Sequence, residues 1–158
     1  MELYKATISD VDILIDLRLE YLRMDMGDVS EVEELMIRKQ VKAYLEKYLP
    51  VNDFIAIMAK VDGEVAATAY LAITEKPANL SFLNGRTGTV LNVMTFPKYR
   101  RQGIATRVMK ELLLEAKKAE VSTIDLNATE DGKYLYEKLG FQEPCCTAMR
   151  LQLEIYLQ

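Results

Sequence analysis

Apolar residues recur at helical spacing in four parts of the chain. A capping box that begins at Ser9 predicts the start of the first helix, Gly27 interrupts its pattern, and Pro50 follows the second helix. A third helix is expected after Pro97 and a fourth over residues 130–139, with Gly140 closing it. The apolar positions of the first three helices are Leu14, Leu17, Tyr21 and Met24, then Ile37, Val41, Tyr44 and Tyr48, then Ala105, Val108, Met109, Leu112 and Ala116.

Six further segments are typical of β-strands. Residues 54–59 form an apolar run expected to be buried on both faces, and Asp62-Gly63 predicts a hairpin to the next strand. The turn-rich residues 75–88 form either a binding loop or a plain surface loop. The predicted strands cover residues 2–7, 54–59, 65–73, 89–96, 122–127 and 148–157. The order of elements predicts a three-layer α/β domain with a mixed sheet.

Composition narrows the class of protein. With 158 residues, of which 50% are hydrophobic, the chain fits one domain over residues 1–158. No apolar run approaches the roughly 18 residues of a membrane span, and the first residues lack the order of a signal peptide, so we expect a cytoplasmic protein that does not bind membranes. The net charge of −4 gives no general attraction to nucleic acid.

The sequence contains no histidine. Histidine-based metal sites and nucleophiles activated by histidine are therefore excluded, and we predict no metal. The two cysteines, Cys145 and Cys146, are adjacent, which fits a reducing compartment and structural or surface thiols better than a catalytic nucleophile.

The clearest candidate for chemistry is the turn between a strand and the third helix. Successive backbone N–H groups at a helix start, with basic side chains beside them, suit a pyrophosphate, and small residues let the phosphate approach the backbone. The alternative is a basic helix start without function. A Walker-type loop is excluded because no Gly-Lys-Ser/Thr follows. The turn consists of Arg100, Arg101, Gln102, Gly103, Ile104, Ala105 and Thr106.

Three segments in order resemble the GNAT superfamily of N-acetyltransferases. The turn matches the family signature Arg/Gln-x-x-Gly-x-Gly/Ala, and residues 92–97 before it and 135–141 after it resemble the family at its usual separation. This resemblance covers residues 90–141, whereas the N-terminal half matches only in its order of elements. It implies a GNAT-type acyl-CoA N-acyltransferase fold, with a splayed central strand in a mixed sheet flanked by helices, and acetyl-CoA as co-substrate.

The resemblance also implies roles for residues outside the turn. Val93, Met94 and Thr95 would lie on the splayed, bulged strand whose backbone pairs with the pantetheine arm of coenzyme A. A backbone N–H near Met94 or Thr95 would hold the thioester oxygen as it gains negative charge. Asn127 and Tyr136 would face the cofactor from the other side, while the turn that contains Arg100 would bind the pyrophosphate.

Tyr136 is the residue that we expect to act as general acid, because the departing thiolate of coenzyme A needs a proton. The alternative is a tyrosine packed under the cofactor, and Tyr134 is a weak competitor on another face of the helix. No residue identifies itself as the base. Asn92 stands where the family often has an acidic residue, so Glu20 or another carboxylate of the first two helices, acting through water, is the substitute.

The acceptor and the oligomeric state are less constrained. The first two helices border the acceptor site in this family, and an acidic cluster there favours a cationic amine, although a solvated acidic surface explains it as well. A C-terminal alternation over residues 149–155 predicts an exposed edge strand. Because members of this family often pair through their C-terminal strands, the resemblance implies a homodimer. Two functions remain open, an N-acetyltransferase for small molecules or proteins and a non-catalytic coenzyme A-binding sensor or scaffold. The cluster comprises Asp16, Glu20, Asp25, Asp28, Glu31, Glu33 and Glu34, against Arg18 and Arg23.

Overall fold

The structure is a computed structural model and describes residues 1–153. The chain forms two compact units, Met1–Asn127 and the residues from Ala128 onward. Short 3₁₀ turns precede two of the helices, at Ile8–Asp10 and Pro97–Tyr99. In chain order the main elements are β1 Glu2–Lys5, α1 Val11–Met26, α2 Glu31–Tyr48, β2 Phe54–Val61, β3 Glu64–Glu75, β4 Arg86–Thr95, α3 Ile104–Lys118, β5 Thr123–Asp125 and α4 Glu130–Lys138.

The first unit is built on a five-stranded mixed sheet of order β1-β2-β3-β4-β5. Strands β1 to β4 pair with one another in antiparallel order. Strand β5 is parallel to β4 and follows it through the crossover helix α3. The predicted hairpin joins β2 to β3, with Asp62 at φ 51° and Gly63 at φ 83°, the left-handed pair that a two-residue hairpin turn requires. The predicted fold class is confirmed.

Helices cover both faces of this sheet. Successive residues of a strand point to opposite sides of the sheet, so a central strand supplies apolar side chains to both helical layers. On one face, Phe54, Ala56 and Met58 of β2 pack with the buried residues of α1 and α2. The intervening residues Ile55 and Ile57 are also buried, and α3 packs on β2 and β3. Both faces of β2 are therefore apolar, as the continuous run predicts for a central strand.

The capping box lies two residues before the predicted one and belongs to the 3₁₀ turn Ile8–Asp10 that leads into α1, whose own N-cap Asp10 makes no side-chain capping bond. The backbone N–H of Thr7 donates to a carboxylate oxygen of Asp10 at 2.7 Å, and the Thr7 hydroxyl lies 3.0 Å from the same oxygen. Ser9 and Asp12 have the same three-residue separation, so spacing alone does not distinguish the two boxes.

The second unit contains α4 and the residues after it. Thr129 caps the helix, since its hydroxyl oxygen accepts a hydrogen bond from the Gly132 N–H at 3.2 Å. The predicted strand over residues 148–157 is wrong for the residues up to Leu153, which contain no strand, and its remainder lies outside the described residues. Met149 and Leu151 are exposed, and an alternating pattern forms a strand only beside a partner backbone.

No helix within residues 1–153 is both long and apolar enough to cross a membrane.

Candidate functional site

Strand β4 parts from β5 soon after the two strands meet. Their pairing consists of Thr87 with Thr123, Gly88 with Ile124 and Thr89 with Asp125. β4 then continues through residues 90–95, while β5 ends. Among the residues that the structure describes, one edge of β4 is therefore without a neighbouring strand over six residues, and such an edge offers backbone N–H and C=O groups to an extended ligand. This is the splayed strand that the resemblance implies.

A β-bulge interrupts β4 at the middle of this open stretch. Thr68 of β3 pairs with Met94 and Tyr70 pairs with Leu91, so Ala69 alone opposes two residues of β4. Asn92 has a φ of 54° at this point. Asparagine tolerates the left-handed region better than most residues, and a bulge re-aims the groups that follow it. The bulge is therefore a local bend that changes the direction of the backbone at Val93.

The side chain of Asn92 is fully engaged by α1. Its Nδ2 donates to the carbonyl oxygen of Leu17 at 3.3 Å, and its Oδ1 accepts from the Arg18 guanidinium at 3.3 Å. Asn92 is only 2% exposed. Both halves of the amide thus tie the bulge to the helix, which gives this residue a positional role and leaves it without basic chemistry.

The turn before α3 is held in shape by its own side chains. Arg100 donates from Nε to the Thr95 carbonyl oxygen at 3.1 Å, and Gln102 donates from Nε2 to the Lys98 carbonyl oxygen at 3.2 Å. Arg101 lies at φ 62° and Gly103 at φ 73°. A left-handed residue beside helical ones makes an anion-binding concavity of backbone N–H groups, so the chain enters α3 in a conformation suited to a phosphate.

Gly103 serves this turn in two ways. It is the N-cap of the 15-residue helix α3, and its left-handed conformation favours glycine. A Cβ atom there would meet no protein atom within 4 Å, so the space above the glycine is open toward the first N–H groups of α3. Those groups, at Ile104, Ala105 and Thr106, have no acceptor within the helix. The positive end of the helix dipole adds to their attraction for an anion.

The charges around the turn differ in how they are compensated. Lys98 pairs with Glu64, and the Tyr99 hydroxyl donates to the same carboxylate at 3.0 Å. The hydrogen bond from Lys98 lowers the pKa of Glu64. Arg100 and Arg101 are exposed and make no ion pair with any carboxylate within residues 1–153. Two positive charges therefore remain for a ligand at this turn.

The predicted cofactor residues of the first unit lie in two places, between the end of β4 and the start of α3, and just beyond the end of β5. Val93 and Thr95 are half-buried on the open part of β4, whereas the Met94 side chain packs into the core with α1 and α2. Met94 can therefore offer a ligand only its backbone. Asn127 is exposed two residues beyond the end of β5. These placements leave the assigned roles as predictions.

Tyr136 lies in the second unit, on the buried side of α4. Its ring meets Phe141 edge to face, with centroids 5.9 Å apart. A Cβ added at Gly132 would lie 3.1 Å from the Tyr136 ring, so glycine at this position makes room for it. Tyr134 is 67% exposed on another face of the same helix. The two tyrosines thus differ in environment as their spacing predicts.

The acidic segment of α1 and α2 is partly neutralised. Arg38 donates to Asp16 at 2.8 Å and to Glu34 at 2.9 Å, while Arg23 lies 2.6 Å from Glu34. The Glu33 carboxylate accepts from the backbone N–H of Ser30 at the start of α2. The remaining acidic side chains make no ion pair within residues 1–153, and they are Glu20, Asp25, Asp28 and Glu31.

The turn-rich connection between β3 and β4 is fastened to its surroundings. Asn84 donates to the Glu120 carbonyl oxygen at 2.7 Å, and the Ser81 carbonyl oxygen accepts from Thr123 at 3.0 Å. Leu80 and Leu83 are exposed, at 96% and 77%.

Arg18 contacts the proposed site at a position that the sequence pattern did not single out. It contacts the bulge through Asn92 and stands over the Tyr21 ring, 5.7 Å from its centroid. The signal for it was present, because Arg18 shares a helix face with Leu14, Leu17 and Tyr21. A charged residue on an apolar helix face needs a polar partner in the fold.

Comparison with known families identifies a match over the middle of the chain. The sequence model described as the acetyltransferase (GNAT) domain matches residues 52–143, which is more than half of the chain. An uncharacterised N-acetyltransferase, ycf52 of Porphyra purpurea, is 38% identical over 58 residues, and its homologue in Pyropia yezoensis is 36% identical over the same length. Each match covers 37% of this chain and only 33% of the relative.

Solved structures resemble the whole chain. A structure described as a predicted acetyltransferase with acetyl-CoA from Clostridium acetobutylicum is 29% identical, with a TM-score of 0.84 and 97% of each chain covered. A GCN5-related N-acetyltransferase from Ralstonia eutropha JMP134 superimposes with a TM-score of 0.79 over 95% of this chain and 97% of its own. At 20% identity the second likeness concerns the fold alone.

Proposed function

Because the chain belongs to the GNAT acetyltransferase family, we propose that it transfers the acetyl group of acetyl-CoA to a primary amine of a small molecule or protein. The observation that carries this proposal is the open edge of β4, which leads through Thr95 directly into the Gly103 turn. A strand edge and an anion-binding turn in this order suit the two parts of coenzyme A. The solved relative described with acetyl-CoA supports the same co-substrate.

Coenzyme A is expected to bind along this stretch of chain. The pyrophosphate accepts hydrogen bonds from the N–H groups at the start of α3, with Arg100, Arg101 and Gln102 framing it. The pantetheine arm runs beside Val93, Met94 and Thr95 and pairs with their backbone as an added strand would. Asn127, beyond the end of β5, is proposed to contact the cofactor from the opposite side.

The reaction proceeds by direct attack in a ternary complex. The lone pair of the amine forms a C–N bond to the thioester carbon, and the carbonyl oxygen takes up negative charge. A backbone N–H at Met94 or Thr95 stabilises that oxygen, since the bulge turns the backbone at this point. As the C–S bond breaks, Tyr136 donates its phenolic proton to the thiolate. The products are the acetylated amine and coenzyme A.

The attacking amine must lose a proton, and Asn92 cannot accept it. Glu20 is half-buried on α1 and is proposed to take the proton through water. It lies two residues from Arg18, hence on a different side of the helix. Changing Glu20 to Gln should therefore lower kcat at neutral pH and leave acetyl-CoA binding unchanged.

Direct transfer is preferred to an acetyl-cysteine intermediate. Cys145 and Cys146 are exposed, with sulfurs 3.7 Å apart, and the chain has no histidine to activate them. A variant with alanine at both positions should retain activity. A trapped acetyl-cysteine in the wild-type enzyme would contradict this part of the proposal.

The alternative is a coenzyme A-binding sensor or scaffold in the cytoplasm, and the engagement of the Asn92 amide favours it, because no acidic group occupies that position. Thiol release from acetyl-CoA, measured across a panel of primary amines with mass detection of the products, separates the two functions. Acetylation of at least one amine, with one thiol released per amide formed, supports the enzyme. Tight binding of acetyl-CoA without turnover of any amine supports the alternative.

A further inference from the structure

Arg18 lies at the centre of the buried face of α1. Each helical residue turns by about 100°, which places Val11, Leu14 and Ile15 on one arc with Leu17. All four are buried, and Arg18 falls within the arc that they define. A guanidinium at such a position is partly removed from water and requires polar partners.

The partners of Arg18 do not use its full capacity. A guanidinium carries five N–H donors, and the only acceptor that Arg18 reaches within residues 1–153 is Oδ1 of Asn92, at 3.3 Å. Its plane lies over Tyr21. Burial raises the pKa of the nearby Tyr70 hydroxyl, and the positive charge of Arg18 opposes that rise. The charge therefore remains available inside a partly apolar surrounding.

The other two arginines of α1 and α2 are compensated by carboxylates. Arg23 pairs with Glu34, and Arg38 pairs with Glu34 and Asp16. Arg18 forms no ion pair within the described residues, although acidic side chains are abundant on the same helix. A half-buried arginine with unused donors, in a segment where other arginines are paired, suits an external anion.

The location of Arg18 relates this anion to the proposed reaction. Its partner Asn92 is the residue before Val93, and the N–H proposed to hold the thioester oxygen belongs to Met94 or Thr95. An anionic group on Arg18 is thus separated from the reacting carbonyl by only a short stretch of strand. The amine that attacks this carbonyl must lie within a few bonds of the anionic group if both belong to one molecule.

We propose, on the basis of the acetyltransferase function above, that the acceptor is a small zwitterionic amine whose carboxylate or phosphate binds to Arg18. Arg18 repels an amine that lacks the anionic group. Arg18 is accordingly a specificity residue for the acceptor.

The test uses matched pairs of acceptors with the intact chain. Glycine, L-alanine and L-phenylalanine are compared with methylamine, ethylamine and 2-phenylethylamine, and 2-aminoethyl phosphate tests a phosphate in place of the carboxylate. We expect kcat/KM to be higher for the anionic member of each pair. Arg18→Met should lower kcat/KM for the anionic acceptors by about tenfold to a hundredfold, mainly through KM, and leave or improve that for the plain amines.

Further variants separate recognition from folding. Arg18→Lys keeps the charge without the planar donors, so it should recover part of the preference. Arg23→Met removes a cation from the same helix that does not contact Asn92, and it should leave the preference unchanged. Acetyl-CoA affinity and the melting temperature are measured for each variant. Equal losses for both members of a pair would make Arg18 a purely structural tie and overturn the inference.

Two other results also decide the matter. If the plain amines are acetylated as well as or better than their anionic partners, acetyl transfer stands and only the inference about Arg18 fails. If acetyl-CoA binds and no amine of either kind is acetylated, the proposed function fails, and the inference fails with it. A preference for 2-aminoethyl phosphate over the amino acids would assign the anion as a phosphate, and the reverse would assign it as a carboxylate.

Discussion

The Nδ2 of Asn92 donates a hydrogen bond to the carbonyl oxygen of Leu17 across 3.3 Å and thereby joins the bulge of β4 to α1. The two residues are 75 positions apart in the chain. The bond fixes the helix that borders the proposed acceptor site to the strand that carries the proposed cofactor edge. It therefore connects the two substrates of the proposed reaction through one buried side chain.

Replacing Asn92 tests this connection. Asn92→Ala removes both side-chain hydrogen bonds and places alanine at a φ of 54°, so we expect the free energy of unfolding to fall by about 2–3 kcal/mol. Asn92→Gly loses the same bonds without the left-handed penalty and should be more stable than the alanine variant by about 1 kcal/mol. Denaturant unfolding measures both values. Wild-type stability in the alanine variant would show that the hydrogen bonds between Asn92 and α1 do not stabilise the fold.

Gly103 allows the phosphate site to be separated from backbone strain. Gly103→Ala adds a Cβ where the pyrophosphate is proposed to approach, and we expect the Kd for acetyl-CoA to rise about tenfold or more. Gly63→Ala is the matched control, because Gly63 also has a positive φ and open space around a Cβ but lies in the hairpin between β2 and β3. Both variants should lose stability, whereas calorimetric titration should find weaker acetyl-CoA binding only in the first. Equal acetyl-CoA affinity in the two variants would show that the Gly103 turn is not part of the cofactor site.

Tyr136→Phe tests the proposed general acid without disturbing its packing. The phenylalanine ring keeps the edge contact with Phe141, so acetyl-CoA affinity should change little. Loss of the phenolic proton should lower kcat by about a hundredfold. Tyr134→Phe is the control, since Tyr134 is largely exposed on another helix face, and its kcat should stay at the wild-type value. Full activity in the first variant would make Tyr136 a packing residue only.

An ion pair between β1 and α3 gives the stability a pH dependence. The Glu115 carboxylate is only 12% exposed and bonds to Lys118 and, at 3.0 Å, to Lys5. Hydrogen bonds from Lys118 and then Lys5 lower its pKa below the ordinary 4.5. A lowered carboxyl pKa contributes stability above the unfolded value, and this contribution is lost as the pH falls through the folded value.

Glu115→Gln should therefore be less stable than the wild type at pH 7, by up to about 1 kcal/mol, and the difference should shrink as the pH falls below 4.5. Denaturant unfolding at several pH values checks it. Glu2→Gln provides the control, because Glu2 is an exposed residue of β1 without an ion pair within residues 1–153. A difference for Glu115 that stays constant with pH would exclude the ion pair as its cause.

Local patterns sufficed for much of the fold. The face of α3 that contains Val108, Met109 and Leu112 is buried as its spacing predicts, and Asp62-Gly63 forms the expected hairpin. These features depend on residues close together in the chain, where periodicity and turn chemistry are informative. The strand predicted over residues 148–157 shows the limit, because alternation cannot indicate whether a partner strand exists.

The proposed site was predictable to a smaller extent. The basic turn at Gly103 was found because its glycine and arginines are adjacent, although its left-handed conformation emerged only from the structure. The bond between Arg18 and Asn92 joins residues 74 positions apart, and neither side chain has a local pattern that predicts the other. Ion pairs such as that between Arg38 and Asp16 likewise depend on how two helices pack.

Backbone hydrogen exchange with and without acetyl-CoA tests most directly that coenzyme A lies along β4 and the turn before α3. The Phe96 N–H bonds to Ala66 of β3, so the Thr95 N–H faces the open edge of β4. We predict that saturating acetyl-CoA slows exchange at the amide of Thr95 and at those of Ile104, Ala105 and Thr106. The two groups should respond together with one apparent affinity, since one ligand spans both. Protection confined to other parts of the chain, or no protection at saturation, would contradict the proposed site.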